Sequence, residues 1–201
     1  MWLNEEFPNI SARAAAEKAE IFFGDETGIQ NSANYLRGYS PVGCTPVVRV
    51  ESKKMRINLI SAVSNRGKLH FLLYKDSMNS KRLIDFMKRL IKNALKEKGE
   101  DAKAKVFLIL DNLKVHHSEE VTTWLKKRKS KIEVFFLPSY APEYNPDELL
   151  NSDLKRSIGS RPMSRSEEDL ERSTRSRLRH LRRNEHKVKS FFGGKYTKYA
   201  A

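Results

Sequence analysis

The stretch "KVFLILDN" at residues 105–112 constrains the fold most, because five consecutive apolar residues lead directly into an aspartate. An uninterrupted apolar run of this length is typical of a strand buried on both faces, as in a parallel sheet covered by helices. A second run, "IEVFFLP" at 132–138, has the same character and is stopped by a proline. The chain is therefore predicted to build a central sheet with parallel strands.

The earlier strands predict that this sheet is mixed. "EIFFGDETG" at 20–28, "MRINLISAVS" at 55–64 and "KLHFLLYK" at 68–75 have the β-branched residues and turn signals of an antiparallel meander. "VVRVES" at 47–52 is also predicted to be extended. The predicted fold class is α/β, with three antiparallel strands followed by parallel strands and flanked by helices.

Three helices are predicted between and before these strands. Residues 4–20 predict a short helix capped by Ser11 that leads into the fold rather than forming its core. Apolar spacing predicts a second helix, with Asn79 or Ser80 as its N-cap and Gly99 as its stop. Ser118 is the predicted cap of a third. The predicted organisation is a helical lead-in at 1–20, an α/β domain at 21–160 and a basic helical tail at 161–201.

Charge indicates a polyanionic partner. The net charge is +14, and the last 51 residues carry 14 basic and 6 acidic residues. Such a tail usually binds a polyanion, most often nucleic acid, although a solvated basic helix packed on the domain is the alternative. Phe191 and Phe192 are expected to dock on protein rather than to stack on bases. A single cysteine and the lack of a secretory signal predict a reducing cytoplasm.

Two aspartates follow buried strands directly. Asp25 comes after "IFFG" and Asp111 after "VFLIL". Functional groups gather beyond the carboxyl ends of strands in open α/β sheets, although an aspartate there is also a common turn or cap residue.

A third group of acids lies in "YNPDELLNSDLK" at 144–155, where Asn145 is expected to cap a helix. Glu148 then occupies the third helical position, where a capping-box glutamate would reach back to the cap. The same residue faces away from the stripe of Leu150, Leu154 and Ile158. Asp147 is interpreted as a helix-start charge and Asp153 as a surface acid beyond the site.

Three carboxylates brought together need a cation, because like charges at close range cannot all stay ionised. Hard oxygen ligands select Mg²⁺ or Mn²⁺. Two such ions about 4 Å apart activate a water or a 3′-hydroxyl in phosphoryl transfer.

"GDETG", "LDNLKVHHS" and "FLPSYAPEYNPDELLNSDLKR" together resemble the catalytic domain of DDE transposases, and most closely the bacterial insertion-sequence transposases related to the mariner superfamily. The resemblance covers about residues 1–160 and the tail more loosely. It implies a ribonuclease-H-like fold, makes 21–160 the catalytic domain, and makes Asp25, Asp111 and Glu148 the catalytic, metal-binding triad. Two ions of Mg²⁺ or Mn²⁺ are implied.

The resemblance also implies roles close to the triad. Glu26 and Asn112 follow their aspartates and are candidates to support the metal ligands or to contact DNA. His116 and His117 are candidates to touch DNA or orient a carboxylate, with a cap or loop role as the alternative; they do not form a zinc pair. Lys155 lies on the same helix face as Glu148.

The expected function is metal-dependent cleavage of DNA at transposon ends and strand transfer into target DNA, by a dimer in the active complex that associates with the nucleoid. One alternative is a ribonuclease-H-like nuclease acting on a hybrid or a junction. Another is a remnant that binds DNA without cutting it or regulates a full-length transposase.

Transposases of this kind usually carry helix-turn-helix DNA-binding domains before the catalytic domain. The positions before Asp25 leave no room for them. We therefore expect the chain to be the second frame of a split element with an upstream helix-turn-helix partner or fused frame, a truncated remnant, or an expressed fragment.

Overall fold

A computed structural model describes residues 2–31, 39–44, 54–98, 105–161 and 163–201. The strands are β1 (Ala19–Gln30), β2 (Arg56–Val63), β3 (Leu69–Tyr74), β4 (Lys105–Leu110) and β5 (Ile132–Phe136). The α-helices are α1 (Phe7–Ala16), α2 (Ser80–Lys98), α3 (Glu119–Lys126), α4 (Pro146–Gly159), α5 (Glu167–Arg183) and α6 (Glu185–Ser190). The predicted strand at 47–52 and the predicted stop at Gly99 lie outside the described residues.

The five strands form one sheet in the order β3-β2-β1-β4-β5. β1 pairs antiparallel with β2, and β2 pairs antiparallel with β3. On the other side β4 is parallel to β1, and β5 is parallel to β4. The predicted mixed sheet, antiparallel first and parallel later, is confirmed.

Helices cover both faces of this sheet, which explains the uninterrupted apolar run in β4. Phe107 and Ile109 face a core that includes side chains of α1, α4 and α5. Val106, Leu108 and Leu110 face the other core, which α2 and α3 complete. Because successive side chains of a strand point to opposite faces, a strand covered on both faces needs apolar residues at every position. Across the described residues, no helix is long and apolar enough to cross a membrane.

Side-chain caps begin five of the described α-helices, and three of these caps were predicted from the sequence. Asn79 Oδ1 accepts a hydrogen bond from the backbone N–H of Arg82 at 3.0 Å, so it is Asn79, and not Ser80, that caps α2. Ser118 caps α3 through the backbone N–H of Val121, as predicted. Asn145 caps α4 through the backbone N–H of Asp147 at 3.0 Å, also as predicted.

The N-terminal segment differs from its prediction. α1 begins at Phe7 after a π-helical turn at Trp2–Glu6, and Ser11 lies inside the helix rather than at its cap. Phe7, Ile10 and Ala14 are buried and form a stripe at helical spacing. The segment therefore belongs to the core, and the interpretation of it as a lead-in was wrong because the alanine-rich composition obscured this stripe.

The C-terminal aromatics close the same core. Phe191 and Phe192 are buried, which confirms that they dock on protein. The Tyr199 ring meets the Phe7 ring edge-on at 4.7 Å, and its hydroxyl donates to the backbone oxygen of Tyr144 at 2.8 Å. The two ends of the chain thus meet behind β1.

Phe7→Ala is expected to lower the free energy of unfolding by about 3 kcal/mol, because it leaves a cavity between Trp2, Phe23 and Tyr199. Leu3→Ala, at a side chain that is 39% exposed, is the matched control and should change it by less than about 0.5 kcal/mol. Urea unfolding measures both; equal effects would show that α1 does not belong to the core.

Candidate metal-binding active site

The sheet itself brings Asp25 and Asp111 to one edge. β1 is twelve residues long, and β4 pairs only with its first part, up to Phe23 opposite Ile109. Asp25 therefore lies just past the last β1–β4 pair, where its Cα partner is Ser61 on β2. Asp111 directly follows the end of β4 at the same level.

Asn145 attaches α4 to this edge. Its Nδ2 donates to the backbone oxygen of Gly24 at 3.0 Å, while its Oδ1 caps α4. Gly24 fits the packing of the sheet at this point, since a Cβ there would lie 2.9 Å from the Leu110 side chain and 3.0 Å from the Ser61 backbone oxygen. One buried amide thus joins the strand that carries Asp25 to the helix that carries Glu148.

Glu148 does not form a capping box. The backbone N–H of Asn145, which a capping-box glutamate would bind, donates to Pro142 O at 2.9 Å. The alternative interpretation of Glu148 as a capping residue is therefore wrong. Leu150, Leu154 and Ile158 are buried as predicted, and Glu148 points away from them.

The three predicted ligands line one cleft of about 450 Å³. Asp25, Asp111 and Glu148 share it with Asn112 and with the loop at 137–142. Within the part of the chain that the structure describes, no three His, Cys, Asp or Glu side chains are arranged closely enough to hold a metal ion as they stand. Their role as metal ligands stays a prediction.

Electrostatics nevertheless fit a cation in this cleft. Burial, followed by the charge of Glu148, raises the pKa of Asp25 to about 7. Burial also raises the pKa of Asp111, and the charges of Glu26 and Glu148 add to this, while the charge of His116 opposes it. A divalent cation bound to these oxygens would relieve both the burial and the repulsion.

Asn151 holds Asp25 in place, and the sequence interpretation missed it. Its side chain is fully buried one turn after Glu148, and its Nδ2 donates to Asp25 Oδ2 at 2.7 Å. The available signal was an asparagine next to Leu150 on the buried side of α4, where a polar side chain needs a partner. Its other polar atom, Oδ1, is buried without a hydrogen-bond partner among the described residues.

Asp147 is not a solvated helix-start charge. It is fully buried and accepts a hydrogen bond of 2.6 Å from Ser61 Oγ. Burial, followed by the charge of Asp25, raises its pKa well above the ordinary value. The prediction was wrong because Asn145 draws the first turn of α4 onto β1 and β2, so the second helical position faces the sheet.

Asp153 lies outside the cleft, as predicted, but it is not a solvated surface acid. Its carboxylate pairs with Arg177 at 2.6 Å and Lys187 at 3.1 Å. Although burial opposes them, these two hydrogen-bonding cations hold the pKa of Asp153 below its ordinary value. The residue ties α4 to α5 and α6.

His116 lies between two of the predicted site acids. It is buried, its Nε2 faces Glu26 Oε1 at 3.0 Å, and its Nδ1 faces the backbone oxygen of Asp111 at 2.9 Å. Both partners are acceptors, so both nitrogens donate when the ring is a cation. Burial opposes that charge, but the hydrogen bond to Glu26 and the one to Asp111 together raise the pKa of His116.

The remaining predicted residues divide between the cleft and the surface. Asn112 lines the cleft and hydrogen-bonds His117, whose ring lies 4.3 Å from the ring of Phe136. Lys155 is exposed on α4 and is not among the residues that line the cleft.

Solved structures with this architecture define the class of fold. The catalytic domain of Mos1 mariner transposase matches with a TM-score of 0.59 at 15% identity, over 96% of this chain and 89% of that chain. The mariner Mos1 paired end complex with Mg matches at 0.67 and 18% identity, over 99% of this chain and 60% of that one. The Mos1 strand transfer complex matches with a TM-score of 0.64 at 17% identity, over 98% of this chain and 59% of that chain. The fold is ribonuclease-H-like, as predicted.

The family follows from the sequence match. The model for the DDE superfamily endonuclease matches residues 20–171, well over half of the chain. The chain therefore belongs to the DDE superfamily endonucleases, which are phosphoryl-transfer enzymes. No curated protein matches it. It spans about 60% of the length of the Mos1 chains in the paired end complexes.

The raised pKa of Asp25 predicts how stability depends on pH without metal. The folded chain binds this proton more tightly than the unfolded chain, so the contribution is complete below about pH 4 and is lost as the pH rises through about 7. The loss from this group amounts to roughly 4 kcal/mol at most. Asp25→Asn should therefore be more stable than the wild type at pH 8, by an amount that shrinks toward pH 5.

Urea unfolding in EDTA across this range measures the difference, with Asp85→Asn at an exposed position of α2 as the control. A difference between wild type and Asp25→Asn that does not change with pH would contradict the prediction.

Proposed function

We propose that this chain is the catalytic domain of a transposase of the bacterial insertion-sequence type related to mariner, which cleaves DNA at transposon ends and joins them to target DNA. The observation that carries the proposal is the convergence of Asp25, Asp111 and Glu148, from two strand ends and a helix start, on one cleft with excess negative charge. The structural relatives include Mos1 paired end complexes with Mn, with Mg or with a left transposon end, and the Mos1 strand transfer complex.

Asp25, Asp111 and Glu148 are the proposed metal ligands, and Mg²⁺ or Mn²⁺ is the proposed cofactor, with two ions per site. All the charged donors of the cleft wall are carboxylate oxygens, which suit these hard cations. When bound, such ions would activate the attacking water or 3′-hydroxyl and neutralise charge on the phosphoryl group.

The surrounding residues hold these ligands in orientation. Asn151 donates to one oxygen of Asp25 and so restricts rotation of that carboxylate. When both of its nitrogens are protonated, His116 donates to the backbone oxygen of Asp111 and to Glu26, and so couples the end of β4 to β1. Asn145 maintains the separation between Glu148 and the strands. The sheet and its helices thereby keep like charges close together before any cation binds.

Recognition of the transposon end is proposed to come from elsewhere. This chain spans about 60% of the Mos1 chain in a paired end complex with Mn and in a paired-end complex with left transposon end. We propose that helix-turn-helix segments, fused to this chain or supplied by a partner, select the end, and that the active complex is a dimer.

Glu148→Gln is expected to reduce Mg²⁺-dependent nicking of a supercoiled plasmid at least about a hundredfold, because an amide cannot supply the negative charge that a metal ligand provides. Glu143→Gln is the matched control, since Glu143 is exposed just before α4 and does not line the cleft. Unimpaired nicking by Glu148→Gln would sink the ligand assignment.

Cleavage assays that compare the plasmid with an RNA–DNA hybrid and a DNA junction separate the competing functions. A ribonuclease-H-like nuclease of another kind would prefer an RNA–DNA hybrid or a junction over duplex DNA. A non-catalytic remnant would bind DNA but cut none of these substrates with either Mg²⁺ or Mn²⁺.

Asn151→Leu is expected to weaken Mn²⁺ binding about tenfold or more, because Asp25 loses the donor that orients it. The thermal midpoint should also fall, because the buried Asp25 oxygen loses its donor, and removal of the unpartnered Oδ1 of Asn151 offsets only part of that loss. Calorimetric titration and thermal unfolding measure the two effects, with exposed Ser152→Ala as the control. Unchanged Mn²⁺ affinity would show that Asn151 only fills space.

A further inference from the structure

The outward face of α5 forms an arginine-rich surface that the carboxylate cleft does not use. A shallow cleft of about 440 Å³ runs along it, and its lining residues share one exposed side of a single helix: Arg172, Arg175, Ser176, Arg179, His180 and Arg183. The opposite side of α5 is buried through Leu170, Thr174, Leu178 and Leu181. The helix is therefore fixed on the domain by its apolar side, and its basic side is presented outward.

The positive charge on this surface increases along the helix. Arg172 pairs with Asp169 at 3.2 Å, and Arg175 pairs with Glu171. Arg179 and Arg183 have no acidic partner among the described residues. The C-terminal half of the surface therefore carries the uncompensated charge.

Only the N-terminal end of α5 lies at the end of the sheet that holds the cleft. Its first residue, Glu167, lies 3.5 Å from Lys75, directly after the end of β3. Beyond its last residue, Glu185 packs on Gly67 in the β2–β3 turn. α5 therefore runs along the outer part of the sheet, from the carboxylate end to the opposite end.

We propose that this arginine-rich surface binds the phosphate backbone of duplex DNA, without sequence preference, along the outer part of the sheet. The choice of DNA as the partner rests on the proposed function. From Arg172 to Arg183 the surface spans roughly 16 Å of helix. Because B-DNA carries one negative charge about every 1.7 Å of its axis, several phosphates lie within that length.

The chemistry of the surface favours phosphate over a membrane. The guanidinium group presents a planar fork of donors that matches phosphate oxygens. Its neighbours here are serine and histidine, so the surface has no apolar side chains to insert between lipids. A lipid-binding helix would need such residues.

The test measures binding of a labelled duplex of about 30 base pairs and arbitrary sequence. Fluorescence anisotropy reports the binding, in EDTA and between about 50 and 200 mM salt. The double variant Arg179→Gln/Arg183→Gln is expected to bind at least about tenfold more weakly at the lower salt concentration. It should also reduce the slope of log K against log salt by about 2.

Arg89→Gln/Lys92→Gln is the matched control, because it removes the same charge from exposed positions of α2, on the other face of the sheet. It should leave the slope nearly unchanged. Arg179→Lys/Arg183→Lys, which keeps the charge, should retain most of the slope. Thermal unfolding of each variant verifies that the fold is intact.

Two outcomes would overturn the inference. One is an equal loss of DNA affinity in the α5 and α2 double variants. The other is unchanged DNA binding by the α5 variant; lost binding of that variant to phosphatidylserine vesicles would then assign the surface to membranes.

Its failure is distinguishable from that of the proposed function, because the binding assay contains no metal. A wild-type chain that binds DNA through α5 but never nicks it would refute the proposed function and leave this inference standing. Nicking by a wild-type chain whose α5 variant binds DNA like the control would do the reverse.

Discussion

The candidate site depends on one buried side chain, Asn145. Its amide nitrogen binds the backbone of β1 at Gly24, and its amide oxygen begins α4. Glu148, Asn151 and Asp147 all take their positions from this attachment, because they follow it within two turns of the same helix. Without it, the carboxylate on α4 would have no fixed relation to those on the strands.

The cleft holds acidic side chains close together, and this arrangement lowers the stability of the fold. Asp25 is almost fully buried next to other acids, and its pKa rises to about 7 as a result. Hydrogen bonds from Asn151 and from the backbone of Glu26 offset part of that cost. Side chains held in an unfavourable charge state are common at functional sites, where the surrounding fold supplies the stability that the site lacks.

Local patterns were sufficient to predict the sheet and the positions of Asp25 and Asp111 at its strand ends. The apolar run before Asp111 implies a strand covered on both faces, and the proline after Asn145 implies a helix start; both describe the structure. The sequence could not show which residues in the first turn of α4 face the sheet. Asp147 looks like an ordinary N-terminal acid, and only the tertiary contact with Ser61 shows that it is buried.

The same limit applies to Asn151, Asp153 and the first helix. Each depends on a partner distant in the chain: Asp25 for Asn151, Arg177 and Lys187 for Asp153, and Tyr199 for Phe7. Spacing within a segment cannot identify such partners, because they are brought together only when the helices pack on the sheet.

The ion pairs of Asp153 have a consequence for geometry. Because they are partly buried, salt screens them less than it screens exposed pairs, so α4 and α5 keep their relative position as ionic strength changes. If duplex DNA follows α5 as proposed, its position is fixed relative to α4, which carries Glu148. The packing of these two helices, rather than the length of a loop, would then determine which phosphate reaches the carboxylates.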